Sequence, residues 1–238
     1  MIRINNLTNE IRKTAAKLGH FSVIEYERDA SVSPFNATNE YFMSKMGVCR
    51  RQLAIDLDGS STVVTQAGAM QWMAGNLRST TGVKGVGDLI GKVFRGAATG
   101  ESAIKPEYTG TGLLVLEPTY KYILLQNAAD WGEAGMAVED GMFLACDGSV
   151  QHKLVARKNA SSVLAGNEGL FNLALRGNGV IALESNVPQS ELIEVELQDD
   201  ELKIDGRLAV CWTASLQFTV ERSSRTLVGS AVSGEGLV

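Results

Sequence analysis

The sequence is poor in the residues that most often carry recognised chemistry. Only two histidines, His20 and His152, occur in 238 residues. The three cysteines, Cys49, Cys146 and Cys211, are odd in number and have no Cys-x-x-Cys spacing. That argues against a zinc cage or a disulfide framework, and fits a reducing cytoplasm where each thiol acts as a small buried hydrophobe. No apolar run approaches the roughly 18 residues that span a bilayer, and the start of the chain lacks the apolar centre of a secretion signal. Positive charge is in deficit: 22 Lys and Arg against 27 Asp and Glu leave a net charge of −5. This balance works against non-specific attraction to phosphate backbones and anionic membranes. The expectation is a cytoplasmic protein with no membrane partner, for which nucleic acid is a disfavoured one.

What the chain does contain is recurrence. Gly100-Glu101-Ser-Ala-Ile104, Asn167-Glu168-Gly-Leu-Phe171 and Gly234-Glu235-Gly-Leu-Val238 place glutamates at positions 101, 168 and 235, which are equally spaced. Gly110-Thr-Gly112-Leu-Leu-Val-Leu-Glu117 and Gly177-Asn-Gly179-Val-Ile-Ala-Leu-Glu184 repeat at that same spacing. Asp140-Gly141-Met-Phe-Leu-Ala-Cys146 returns, at a slightly shorter spacing, as Asp205-Gly206-Arg-Leu-Ala-Val-Cys211, and an earlier copy stands at Ala67-Gly68-Ala-Met-Gln-Trp72. Units that cannot bury a face alone become stable by packing on their neighbours. One integrated globular unit is expected, with a segment 1–45 (a weak helix, then a strand), unit 1 at 46–100, unit 2 at 101–167 and unit 3 at 168–238. The third copy stops where its apolar strand should begin, so the natural chain is expected to continue past Val238.

Alternation marks the strands. Leu53, Ile55 and Leu57 alternate with polar residues and Ala54. Ile193, Val195 and Leu197 alternate with Glu194, Glu196 and Gln198, and Leu216, Phe218 and Val220 with Gln217, Thr219 and Glu221. Such a period of two buries one face. Runs 113–116, 142–146, 180–183 and 208–212 are apolar on both faces, so they need cover on both sides. Asp58-Gly59, Asp140-Gly141, Asp147-Gly148 and Asp205-Gly206 are tight-turn pairs. The fold class is therefore all-β, a set of sandwich units with one or two short helices. The helices are expected over 8–18, capped by Thr8 and stopped by Gly19, and in the glycine-rich excursion 82–100, where Val86, Leu89, Ile90, Val93 and Phe94 recur at helical spacing.

The chemistry is sparse. Gly110-x-Gly112 and Gly177-x-Gly179 precede strand-like runs, not helices, and lack a third glycine. They read as turn or bulge glycines rather than phosphate cradles. Gly85-Val-Gly87-Asp-Leu-Ile-Gly91-Lys92 misses the first glycine and the Ser or Thr of a P-loop. His152 is in phase with Val150 and Leu154 and reads as a half-buried strand residue; His20 sits in a turn. Trp72 and Trp212 read as packing residues. Glu194 and Glu196 read as a solvated face, and Glu101, Glu168 and Glu235 as turn residues accepting backbone N–H bonds. No catalytic, cofactor-binding or metal-ligating residue is assigned, and no cofactor is expected.

The combination of Gly68-Ala-Met70, Glu101, Gly110-Thr-Gly112, Asp140-Gly-Met-Phe-Leu-Ala145, Gly177-Asn-Gly179, Asp205-Gly206 and Ser233-Gly-Glu-Gly-Leu-Val238 resembles the altered-inheritance-of-mitochondria family (number twenty-four). The resemblance covers most of the chain from about residue 45. It implies three β-sandwich units folded like the trp RNA-binding attenuation protein, a short double-stranded β-helix, and a homotrimeric ring with pseudo-ninefold symmetry. It implies no reaction. The leading expectation is a non-enzymatic, ring-forming scaffold or binding protein. A ligand- or RNA-binding ring is the alternative, and an enzyme without a recognisable motif comes last.

Overall fold

The computed structural model describes residues 3–81, 105–156, 171–204 and 208–217. Those residues form twelve strands and one α-helix: β1 (Arg12–Leu18), β2 (Phe21–Tyr26), α1 (Ala37–Lys45), β3 (Arg50–Thr65), β4 (Met70–Thr80), β5 (Glu107–Leu116), β6 (Tyr122–Asn127), β7 (Met136–Val138), β8 (Phe143–Asp147), β9 (Gln151–Ala156), β10 (Phe171–Arg176), β11 (Val180–Ser185) and β12 (Cys211–Thr213). The all-β class expected from alternation is what is found.

Eight strands make one large sheet in the order β1-β2-β3-β8-β11-β6, with β5 on β3 and β4 on β5. β6 returns close to β1, so the sheet nearly closes into a barrel. The other four form a smaller antiparallel sheet, β12-β7-β10-β9. Phe21, Leu53, Ile55, Leu57 and Leu114 fill one part of the core. A second part packs Phe143, Cys146, Ile181 and Leu183 of the large sheet against Met136 and Leu175 of the small one. These runs, apolar on both faces, are buried on both faces, each large side chain contributing about 1.5–3 kcal/mol.

The pairing of β4 on β5 has a counterpart elsewhere. Met70↔Leu116, Trp72↔Val115 and Met73↔Leu114, with a bulge after Met70, correspond to Phe143↔Leu183, Ala145↔Ala182 and Cys146↔Ile181 of β8 on β11, bulged at the same place. Arg78↔Thr109 and Ser79↔Tyr108 correspond to Gln151↔Arg176 and His152↔Leu175 of β9 on β10. One constant step carries each β4 position to its counterpart, as from Met70 to Phe143 and from Ser79 to His152. A second, shorter step does the same for β5, as from Leu116 to Leu183 and from Tyr108 to Leu175. The glycine pairs work at the joints of this arrangement. A Cβ on Gly110 would stand 2.0 Å from the Asn76 carbonyl oxygen, so β4 and β5 can run together only without one. Gly177 and Gly179 instead turn the chain from β10 into β11.

Three expectations need correction. Residues 8–18 are not a helix; Asn9 closes a turn by accepting the Ile11 and Arg12 amides, each at 2.9 Å, and the chain continues as β1. Pairing with β2 overrides a weak helical pattern, and Gly19, read as a helix stop, serves the hairpin turn with φ of +55°. Residues 193–197 form no strand: Ile193 is 89% exposed, and alternation without a neighbouring strand leaves nothing to pair with. Asp58-Gly59 is not a reversal; β3 runs through it with a register shift against β5 between Asp58 and Thr62. The helix α1 stands where the sequence pattern announces none. The excursion 82–100, the three repeated glutamates, Asp205-Gly206, Phe218 and Val220 lie outside the described residues.

Candidate functional site

His152 comes from β9 and meets β8. Its Nε2 lies 3.4 Å from the Cys146 Sγ, and its ring stands edge-on to Phe143 at 5.5 Å. The Lys105 ammonium sits 4.0 Å over the Phe143 ring. A Cys–His pair is chemically useful when it yields a thiolate and an imidazolium. Here both groups are pushed the other way. Burial, then the Asp147 charge, raises the Cys146 thiol far above its ordinary range. Desolvation of the ring against β8, then Lys105, lowers His152 to about 4, although the residue as a whole stays exposed on β9. At neutral pH the contact joins a thiol to a neutral imidazole.

His20, in the β1–β2 turn, reaches Asp147 at the end of β8, with Nε2 3.1 Å from Oδ1. The approach lacks hydrogen-bonding geometry, and no other atom of the described residues partners that nitrogen. The other Asp147 oxygen accepts the Val180 amide at 2.7 Å. Ser149, in the same turn region, donates to the Asn178 carbonyl at 2.6 Å. The two hydrogen bonds tie the end of β8 to the start of β11, with His20 of the first hairpin lying alongside. The two histidines are therefore not brought together: His152 lies on an exposed stretch of β9 with its ring against Cys146 and Phe143, and His20 stands beside Asp147.

Clefts among the described residues offer little chemistry, as two of them show. One, of about 610 Å³, is open; its Arg176 donates to Gln151 at 3.0 Å. The other, of about 440 Å³, lies beside α1, where Glu40 accepts the Asp29 amide and Asp29 pairs with Arg50. Both hold polar groups already engaged with one another. Among the described residues no three His, Cys, Asp or Glu side chains gather closely enough to hold a metal ion, and no helix is long and apolar enough to cross a membrane.

Among the described strands, one long open edge carries little charge. β4 pairs with β5 along its whole length, and no other described strand pairs with it. From Met70 to Leu77 it carries no charge, and Arg78 is its first ionised side chain. Met70 and Met73 are 37% and 40% exposed. Proteins ordinarily blunt such an edge with lysine, proline, bulges or a covering element, because its free N–H and C=O groups template another strand. The absence of charge over 70–77 is the one sequence signal for this edge. It does not suffice alone, because which strand lies outermost depends on long-range pairing.

Comparisons with known proteins agree with this all-β organisation. The family model for mitochondrial biogenesis AIM24 matches residues 46–238. An uncharacterized protein of Streptococcus pyogenes serotype M6 is 27% identical over 190 residues, covering 77% of this chain and 74% of its own. A structural-genomics crystal structure of a Streptococcus pyogenes protein superposes with a TM-score of 0.57 at 26% identity, covering 80% of this chain and 82% of that one.

Proposed function

This chain belongs to the mitochondrial biogenesis AIM24 family, and from that premise we propose that it acts by assembling. It is a non-enzymatic, ring-forming scaffold or binding protein of three like units per chain, three chains per ring, working in the cytoplasm. The observation that carries the reading is the outer edge of β4, uncharged over residues 70–77 and unpaired among the described strands. An edge strand of that length asks for a covering strand, and head-to-tail contacts that close on themselves give rings. The Cys146–His152 contact, with its protonated thiol, supports a role without covalent catalysis. Three free cysteines support a reducing compartment.

Sedimentation velocity at micromolar concentration tests the assembly, with native mass spectrometry to count subunits. The expected result is a discrete species of three chains. A single-chain species under both methods overturns the proposal. A ring that retains RNA or a small molecule moves the reading to the ligand-binding alternative.

A further inference from the structure

The outer edge of β4 has two completed counterparts inside the same chain. β8 corresponds to β4 by the shared register on β11 and β5. Its other edge is covered by the end of β3: Val63↔Asp147, Val64↔Cys146 and Thr65↔Ala145. β12 is covered in the same way by β7: Met136↔Thr213, Ala137↔Trp212 and Val138↔Cys211. The two seams share their flanking hydrogen bonds. Gly148 N–H donates to the Thr62 carbonyl at 2.6 Å, and Ala214 N–H to the Gly135 carbonyl at 2.9 Å. Gln66 N–H donates to the Leu144 carbonyl at 2.8 Å, and Glu139 N–H to the Val210 carbonyl at 3.1 Å. From one seam to the other the covering stretch advances from Val63 to Met136, a step of 73 in numbering, and the covered strand from Asp147 to Thr213, a step of 66.

One further step of 66 from β7 lands on residues 202–204, Leu-Lys-Ile. This stretch is in no strand, and Leu202 is 49% exposed, whereas its counterparts Val63 and Met136 are 0% exposed. One step of 73 back from β8 lands on Trp72–Ala74, where Met73 is 40% exposed against 0% for Cys146. Among the described residues, the stretch in the third covering position thus has nothing to cover, and β4, which holds the first covered position, has nothing covering it.

We propose that residues 202–204 of one copy add as an antiparallel strand to the β4 edge of the next copy, in the register Leu202↔Ala74, Lys203↔Met73 and Ile204↔Trp72. Gly75 N–H then donates to the Glu201 carbonyl, as Gly148 does to Thr62. The inference rests on the ring reading above and names its seam. The occupant is a second copy because the two internal seams are continuous in pattern with the unfilled one, and each joins a unit to the unit before it. A contact of this kind between unlike surfaces runs head to tail, the geometry a closed ring requires.

The register follows from which side chains enter the core. Met136 and Val138 of β7 both pack there. A step of 66 puts Leu202 and Ile204 in those places. A step of 65, the Asp140-Gly141 to Asp205-Gly206 interval, would put Glu201 and Lys203 there instead. A slip of one residue turns every side chain to the other face, so the apolar pair selects 66.

The test uses the full chain with Ala74→Cys and Leu202→Cys together, each alone, and Met73→Cys with Leu202→Cys, all oxidised and run without reductant, with sedimentation alongside. Linked multiples of the single-chain mass from the first pair, and not from the singles, support the seam. Linkage in Ala74→Cys alone means β4 meets β4 and overturns it. So does a bond formed within one chain, or linkage only through Met73. An intact ring with no linkage in either pair also overturns the seam while the ring reading stands; a monomer removes both. Lys203→Pro and Lys203→Ala give an independent reading. In the β3 seam, residues 62 and 66 both bond toward β8, so residue 64 between them faces the same way, and Lys203 is its counterpart. Proline there removes the donor and is expected to convert the ring to single chains; alanine is expected to keep it. A proline variant that still forms the ring overturns the assignment.

Discussion

β8 and β4 hold corresponding places in the pairing pattern, yet one is core and the other is surface. Phe143 and Cys146 of β8 are 0% exposed, and their counterparts Met70 and Met73 of β4 are 37% and 40% exposed. Local sequence does not explain the contrast, since Met70, Trp72 and Met73 are as apolar as Phe143, Ala145 and Cys146, and both strands carry the same bulge against their inner partner. The difference is what lies outside. β8 has the end of β3 on its second edge and β7 and β10 across its face. Burial in this fold is a property of how many neighbours a strand has.

Phe143→Ala against Met70→Ala is the strongest way to break that comparison. Removing the phenyl group leaves a cavity between the two sheets and should lower stability by about 3–5 kcal/mol. The Met70 change on the half-open edge should cost on the order of 0.5 kcal/mol. Urea unfolding midpoints of the two variants check this, and equal losses would mean that β4 is as enclosed as β8. Next in size is Gly110→Ala against Gly177→Ala. Both glycines hold positive φ, at 114° and 112°. A Cβ at Gly110 meets the Asn76 carbonyl at 2.0 Å, whereas at Gly177 its nearest neighbour is the Ser149 carbonyl at 3.3 Å. Strain alone predicts about 1–2 kcal/mol at Gly177; adding overpacking predicts about 3 kcal/mol or more at Gly110. The same melts rank them.

The strands that sequence patterning locates are those whose neighbours leave a local trace. Runs 113–116 and 180–183 are apolar on both faces because each is covered on both, and Gly110 and Gly177 announce their joints. The failures share a cause. Residues 193–197 alternate without a break but meet no partner among the described strands, and residues 8–18 carry a passable helical stripe that the β2 ladder overrides. α1 buries none of its residues, so it has no apolar period to read. The β4 edge is illegible for a related reason: outermost position is a fact about the whole sheet, not about residues 70–80.

A charged pair gives a smaller contrast between inside and outside. Arg51, 6% exposed, bonds Glu25 at 2.7 Å, donates to the Cys49 carbonyl at 3.2 Å and lies 4.0 Å over the Tyr122 ring. Lys13 pairs with Glu27 in solvent. Arg51→Lys keeps the charge but loses the planar stacking and the fixed fork, which should cost about 1–2 kcal/mol. Lys13→Ala should fall within about 0–1 kcal/mol. High salt should narrow the Lys13 effect and leave the Arg51 effect in place.

The last contrast is confined to a pH window. His152 has its pKa lowered from 6.5 to about 4, first by burial and then by Lys105. Because the folded state holds this ring neutral, the unfolded chain binds the extra proton first as pH falls. Stability therefore carries the full His152 contribution above about pH 6.5, loses it progressively on acidification, and stops losing it below about pH 4. Cys146 stays a thiol throughout that range and adds no slope of its own. His152→Gln keeps a polar side chain beside Phe143 and removes the titration. The difference in urea midpoint between wild type and His152→Gln should be constant above neutrality and should shift against the wild type between about pH 6 and pH 4.5. A difference that stays flat through that interval would mean that the imidazole protonates as freely as one in water, and that its contact with Cys146 and Phe143 does not hold it neutral.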